Sequence, residues 1–197
     1  MRFGVSQKNC SMIFGQPSDF AIEAYHEPSG PEWGGCGRMC IDIQGVRLGD
    51  IRENHCSLYH ATDLLRTTYP IIDSLWDESF SGLSDAEIFL ALDQALYLSD
   101  TSDWERFGRF DFLTNTGEQF DDSKTFLVCR PGGRVHILYD RFGDDGFGSG
   151  CCSALTFRRV ASAYVDWFDE QVRNTAPPFF PINPFDLSET VPNNWRG

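Results

Sequence analysis

The sequence predicts an α+β protein in which an antiparallel sheet, built from hairpins, packs against about three helices. Three observations carry that prediction. Strand-like segments come in pairs joined by tight-turn residues: Arg38 to Ile43 with Val46 to Leu48 around Gln44-Gly45, and Lys124 to Arg130 with Arg134 to Asp140 around Pro131-Gly132-Gly133. Segments of helical periodicity fall between or after these hairpins. No strand-helix-strand repetition of the kind a parallel sheet requires is visible, and no internal repeat is present.

Taken in order, Phe20-Ala21-Ile22-Glu23-Ala24-Tyr25 alternates in part and reads as a strand. The run Glu27 to Gly37 holds two prolines and four glycines, which makes it loop. The first hairpin follows. Ser57 then offers an N-cap to a helix whose face is Leu58, Ala61, Leu64, Leu65 and Thr68, and Pro70 ends or kinks it. A second helix is announced by Ser84-Asp85-Ala86-Glu87, a capping box directly before the stripe Ile88, Phe89, Leu92, Ala95 and Leu96. Acidic, turn-like stretches cover Ser99 to Glu105 and Gly117 to Asp122. After the second hairpin, Gly143 to Gly150 reads as loop and Cys151 to Leu155 as a returning strand. Thr156 then caps a helix to about Thr175 along Val160, Ala161, Tyr164, Val165 and Phe168.

Residues 1–175 are therefore expected to form one α+β domain. Residues 176–197, with four prolines among Phe179, Phe180 and Phe185 in their first half, form an extended tail that cannot be helical. Hydrophobic residues make up 41% of the 197, with 17 Phe among them, enough to fill one core and to exclude disorder throughout. No stretch approaches the roughly 20 apolar residues of a spanning helix, and Met1 to Cys10 hold no long apolar run. A soluble cytoplasmic protein is expected. The seven cysteines include no CxxC pair. Reduced, packed thiols fit that compartment better than disulfides or zinc, although Cys36, Cys40, Cys56 and His60 are a set that convergence would make tetrahedral.

Familiar catalytic signatures are absent: there is no Walker loop, HExxH pair, GxSxG elbow or EF-hand loop. The run Asp140 to Gly146 approaches a calcium loop, but Phe142 stands where the third position needs an oxygen. Glycines 143, 146, 148 and 150 lie in acidic surroundings that repel phosphate. Neither His26, His55, His60 nor His136 has a converging second group in the sequence. The reading assigns no catalytic residue, no metal and no cofactor.

Charge is the stronger signal. Residues 71–145 hold 16 Asp and Glu against 6 Lys and Arg, so ten of the thirteen net negative charges fall there. Such a field repels nucleic acid and anionic membranes and speeds encounter with a basic protein. The carboxylates form three clusters at turns: Asp100, Asp103 and Glu105; Asp121 and Asp122; Asp140, Asp144 and Asp145. Nearby aromatics, Trp104 and Phe142 foremost, are suited to anchor a partner. If the loops meet on one side, they compose an anionic docking face; otherwise the aromatics are core and the carboxylates solvate its rim.

Two stretches resemble a known family. Ile13-Phe14-Gly15-Gln16-Pro17-Ser18-Asp19-Phe20-Ala21-Ile22-Glu23, followed by Met39 to Gly45 and Leu48-Gly49-Asp50, is similar to the opening of the immunity protein 42 family of bacterial polymorphic toxin systems. Gly117-Glu118-Gln119-Phe120-Asp121-Asp122 and the strand after it resemble that family's Gly-Glu-x-Phe-Asp segment. The pieces are spread over roughly residues 13–175, while the tail from Ala176 and the aspartate-rich stretch Asp100 to Asp111 lie outside the common pattern. The resemblance implies a small cytosolic protein that binds a cognate toxin domain and neutralises it without catalysis. Two rivals stand beside it: a metal-assisted hydrolase using Asp140, Asp144, Asp145 and His136, and an intracellular scaffold or adaptor.

Overall fold

The computed structural model describes residues 11–27, 35–53, 55–99, 103–142 and 146–175. The expected C-terminal tail lies outside them. Two antiparallel sheets, not one, form the frame. The first orders β1 (Met12–Gly15), β2 (Phe20–His26), β3 (Cys36–Ile43) and β4 (Val46–Leu48), with β5 (Cys56–Ser57) pairing β3 beside β4. The second is β6 (Ser123–Arg130), β7 (Arg134–Arg141) and β8 (Gly146–Ser153). Four α-helices accompany them among the described residues: α1 (Tyr59–Thr68), α2 (Asp85–Asp93), α3 (Trp104–Phe107) and α4 (Ala154–Thr175). The α+β class is as the hairpin pattern predicts.

Both hairpins form where expected. Gln44 and Gly45 each take positive φ, 50° and 81°, the conformation of a two-residue turn that matches strand twist. Phe126, Leu127, Val128 and Cys129 are all buried because β6 is covered on both faces, which is why this strand runs apolar instead of alternating. Helix α2 covers one of those faces, with Phe89 packed on Phe126 at 5.1 Å between ring centroids and on Phe147 at 5.4 Å. Helix α4 packs across β1 and β2 and reaches β7 and β8, so it joins the two sheets. Phe157 stacks on Phe20 at 5.1 Å, and Tyr164 shares a buried 2.9 Å hydrogen bond with Thr62 of α1.

Several boundaries differ from expectation for identifiable reasons. Ser57 does not cap α1: it is drawn into β5 opposite Cys36, and the helix begins after Leu58 with no side-chain cap. Thr156 is not the cap of α4 either; Ser153, at the end of β8, accepts its N–H at 3.0 Å. Pro70 does mark the end of α1, which stops at Thr68, but the chain continues as a 3₁₀ segment, Tyr69–Ser74, with the proline in its first turn. The expected glycine loop is largely strand. Gly150 faces β3 so closely that a Cβ there would lie 2.5 Å from Ile43, so the second sheet meets the first through a residue without a side chain. The capping box holds as written: Ser84 Oγ accepts from the Glu87 N–H, and the Glu87 carboxylate accepts from the Ser84 N–H at 2.8 Å. Beyond Asp93 the helix widens into a π turn, Gln94–Leu98.

Candidate functional site

Seven of the ten residues expected to meet a partner lie among the described residues. Asp100, Asp144 and Asp145 lie outside them. Asp121 and Asp122 immediately precede β6, Phe142 immediately follows β7, and the Phe142 N–H donates to the Asp122 carbonyl at 2.8 Å. Strand register puts Asp140 opposite Lys124 on β6 and Phe147 on β8. These four therefore gather at one end of the second sheet.

A chain of contacts ties α3 to that end. Lys124 Nζ donates to Asp93 at 2.5 Å and lies 4.6 Å from the centre of the Tyr97 ring. The Tyr97 hydroxyl donates to Asp111 at 2.8 Å, and burial pushes the Asp111 carboxyl above its ordinary range against the opposing hydrogen bonds of Tyr97 and Thr114. The same ring meets Trp104 edge-on at 5.7 Å. Gly108 also packs close to the indole, where a Cβ would stand 2.8 Å from it. The Asp103 N–H donates to the Ala95 carbonyl at 3.0 Å. Trp104 is thus held by two neighbours while remaining 46% exposed. Asp103 and Glu105 flank it, both exposed, and neither makes an ion pair among the described residues.

The electrostatics of the two neighbourhoods differ. Asp122 and Phe142 line a depression of about 510 Å³ together with Arg47, Arg52, Arg141 and Asp50. Arg52 clamps Asp50 and holds its carboxyl down to about 2, and Arg141 donates to the Arg47 carbonyl across the two sheets. Charge in this depression is mixed. Sequence reasoning missed the three arginines because β3, β4 and the loop after them bring two of them in from far along the chain. Around Trp104, in contrast, Arg106 turns toward Asp77, whose carboxyl is held well below the usual carboxylate range by hydrogen bonds from Arg106 and Ser79, and Arg109 lies 3.8 Å from the same carboxylate; Asp103 keeps a longer-range attraction to Arg106, and neither it nor Glu105 makes an ion pair among the described residues.

Groups with chemical potential are engaged in structure. His136 Nδ1 and Asp85 lie 2.8 Å apart, and Arg130 donates to the same carboxylate at 2.7 Å. Burial would raise the Asp85 pKa, but hydrogen bonds from His136, Arg130 and Ser149 prevail and lower it. One carboxylate at the start of α2 therefore holds all three strands of the second sheet. His136 and Asp140 share a face of β7 but sit four residues apart, roughly 13 Å at strand rise, so these two members of the hydrolase set are not brought together, and Asp144 and Asp145 lie outside the described residues. Among the described residues, Glu23, Cys40 and Asp42 are the set whose oxygen and sulfur atoms lie within 4.8 Å of one another. Arg47 occupies both carboxylates, at 2.7 Å and 3.0 Å, and burial pushes the Cys40 thiol up to about 12. An arginine already fills the place a cation would take.

A second cavity, of about 560 Å³, opens beside the start of α1 and is lined by Cys36, His55, Tyr59, His60, Asn115 and Glu118 among others. His55 and Asn115 hold positive φ of 61° and 58°. The Nδ1 of His55 lies 2.7 Å from Glu27, and burial together with the Glu27 charge raises the Cys36 thiol pKa, so the cysteine stays protonated and unreactive. No spacing in the sequence signals this cavity, which depends on non-glycine residues in the left-handed region. No helix among the described residues is long and apolar enough to cross a membrane.

The family model described as immunity protein 42 matches residues 12–167. No curated protein matches the chain. Among solved structures, the crystal structure of CdiI from Burkholderia dolosa AUO158 is similar, with a TM-score of 0.59 at 16% identity over 79% of this chain and 99% of that one. At that identity the likeness is one of fold.

Proposed function

The chain belongs to the immunity protein 42 family, and from that premise we propose that it binds a cognate bacterial toxin domain in the cytoplasm and neutralises it by occupation, without catalysis. The observation that carries this reading is Trp104: a large, half-exposed aromatic packed on Tyr97 and Gly108 and flanked by the exposed carboxylates Asp103 and Glu105, neither in an ion pair among the described residues. A rigid aromatic loses little conformational freedom on binding, and exposed carboxylates steer a basic partner. Asp121, Asp122, Asp140 and Phe142 extend the surface toward the end of the second sheet. Their arginine neighbours give that part specificity of register more than attraction.

Co-expression with the product of the adjoining reading frame tests the reading. The two are expected to co-purify, and cells carrying the pair are expected to survive a product that kills alone. Killing that the chain does not relieve, with no complex formed, overturns it.

A further inference from the structure

Gly108 has no conformational reason to be glycine. Its φ of -57° and ψ of -25° are those of an ordinary helical residue, so a side chain would not strain the backbone there. What a Cβ would meet is the Trp104 ring, and the atoms nearest to that Cβ all belong to it. The missing side chain makes room for the indole. The second contact of that indole is equally particular. Tyr97 belongs to the π turn Gln94–Leu98, an irregularity that recurs in helices at functional sites. Its ring meets Trp104 edge-on and is itself held from elsewhere: the hydroxyl donates to Asp111, Lys124 Nζ stands over the ring while bound to Asp93, and Phe126 of β6 packs at 6.3 Å. Burial and the hydrogen bond to Asp111 push the Tyr97 phenol pKa up, so the hydroxyl keeps its proton and remains a donor. Helix α3 does less to hold Trp104, since it has four residues, no side-chain N-cap and no fully buried residue. Phe107, stacked on Phe80 at 6.0 Å, ties the helix to the core but does not touch the question of how the indole turns about its own bonds.

We propose that Tyr97 is a positioning residue for the toxin contact: it holds the half-exposed Trp104 indole, over the gap left by Gly108, in the orientation that the toxin meets, without touching the toxin itself. The inference rests on the toxin-binding reading above and deepens it, because it assigns part of the affinity to a side chain behind the surface. Ordinary packing would use such a seat to bury the indole, whereas here the seat leaves it half in solvent. An aromatic already held in its bound orientation loses less freedom on association, so loosening the seat shortens the life of the complex.

The test uses the full chain and the toxin domain encoded beside it, in double-mutant cycles with Trp104→Ala. Tyr97→Phe keeps the ring and removes the bond to Asp111; Gly108→Ala keeps an allowed backbone and fills the gap. Each is expected to speed dissociation about three- to tenfold with association nearly unchanged, and to have no further effect once Trp104 is alanine. A merely structural role would change the rate equally in both backgrounds. In free protein labelled with fluorotryptophan, the resonance that Trp104→Phe removes should shift in both variants. Gly108→Ala, at a helical φ where alanine is the better helix former, carries the test if Tyr97→Phe fails to fold. Equal effects with and without Trp104, or parent-like rates in both variants, overturn the inference and leave the toxin-binding reading standing. A Trp104→Ala protein that binds as the parent does also overturns it and moves the toxin contact elsewhere on the chain. No binding by the parent removes the toxin-binding reading, and the inference with it.

Discussion

Asp85 shows how much one side chain can hold at the residue scale. It opens α2, and its carboxylate receives Arg130 from β6 and His136 from β7. Replacing it with Asn keeps the shape but removes the charge that both partners need. Asp85→Asn is expected to lower stability at pH 7 by about 1.5–3 kcal/mol, the range for a hydrogen-bonded charged group that is largely removed from water. The folded pKa of Asp85 lies below its unfolded value. Its contribution is therefore complete above the ordinary carboxylate range and is lost as pH falls through the lowered pKa. Urea denaturation at pH 7 and below pH 4 checks this: the difference between parent and variant should shrink in acid. Asp111 is the opposite case, because its folded pKa is raised. It favours the folded state more as pH falls through that raised value, since the folded protein takes up the proton first.

At the element scale, what was legible in the sequence is what local chemistry specifies. The capping box needs only Ser84 and Glu87 three residues apart, and both hairpins are written in their turn residues. Ser84→Ala is expected to cost about 1 kcal/mol, and Ser153→Ala on α4 a similar amount, measured by thermal or chemical unfolding. The misplaced caps at Ser57 and Thr156 share one cause. Each helix is entered from a strand, and pairing of that strand decides which residue is free to cap. Strands β1 and β5 escape a reading by pattern because four and two residues carry too little periodicity, and their partners supply what holds them. Strand β8 escapes because its glycines resemble a loop until the packing is known. Gly150→Ala pushes a methyl into Ile43 and is expected to cost about 1–3 kcal/mol. Unchanged stability there would mean that the two sheets do not meet as described.

On the scale of the whole molecule, the excess of carboxylates between residues 71 and 145 was visible from the sequence, and so was the pairing of aromatics with them. Their distribution in space was not. Asp122 comes to rest beside Arg47, Arg52 and Arg141, whereas Asp103 and Glu105, exposed around Trp104, make no ion pair among the described residues. Only tertiary contacts separate those environments, since both clusters look alike along the chain.

The most direct measurement is the binding kinetics of the toxin domain at low and high salt, comparing the parent with Asp103→Lys/Glu105→Lys and with Trp104→Ala. The charge reversals are expected to slow association and flatten its dependence on salt, and Trp104→Ala to speed dissociation tenfold or more with little change in association. Rates that match the parent in both variants at low salt would contradict a docking surface centred on Trp104.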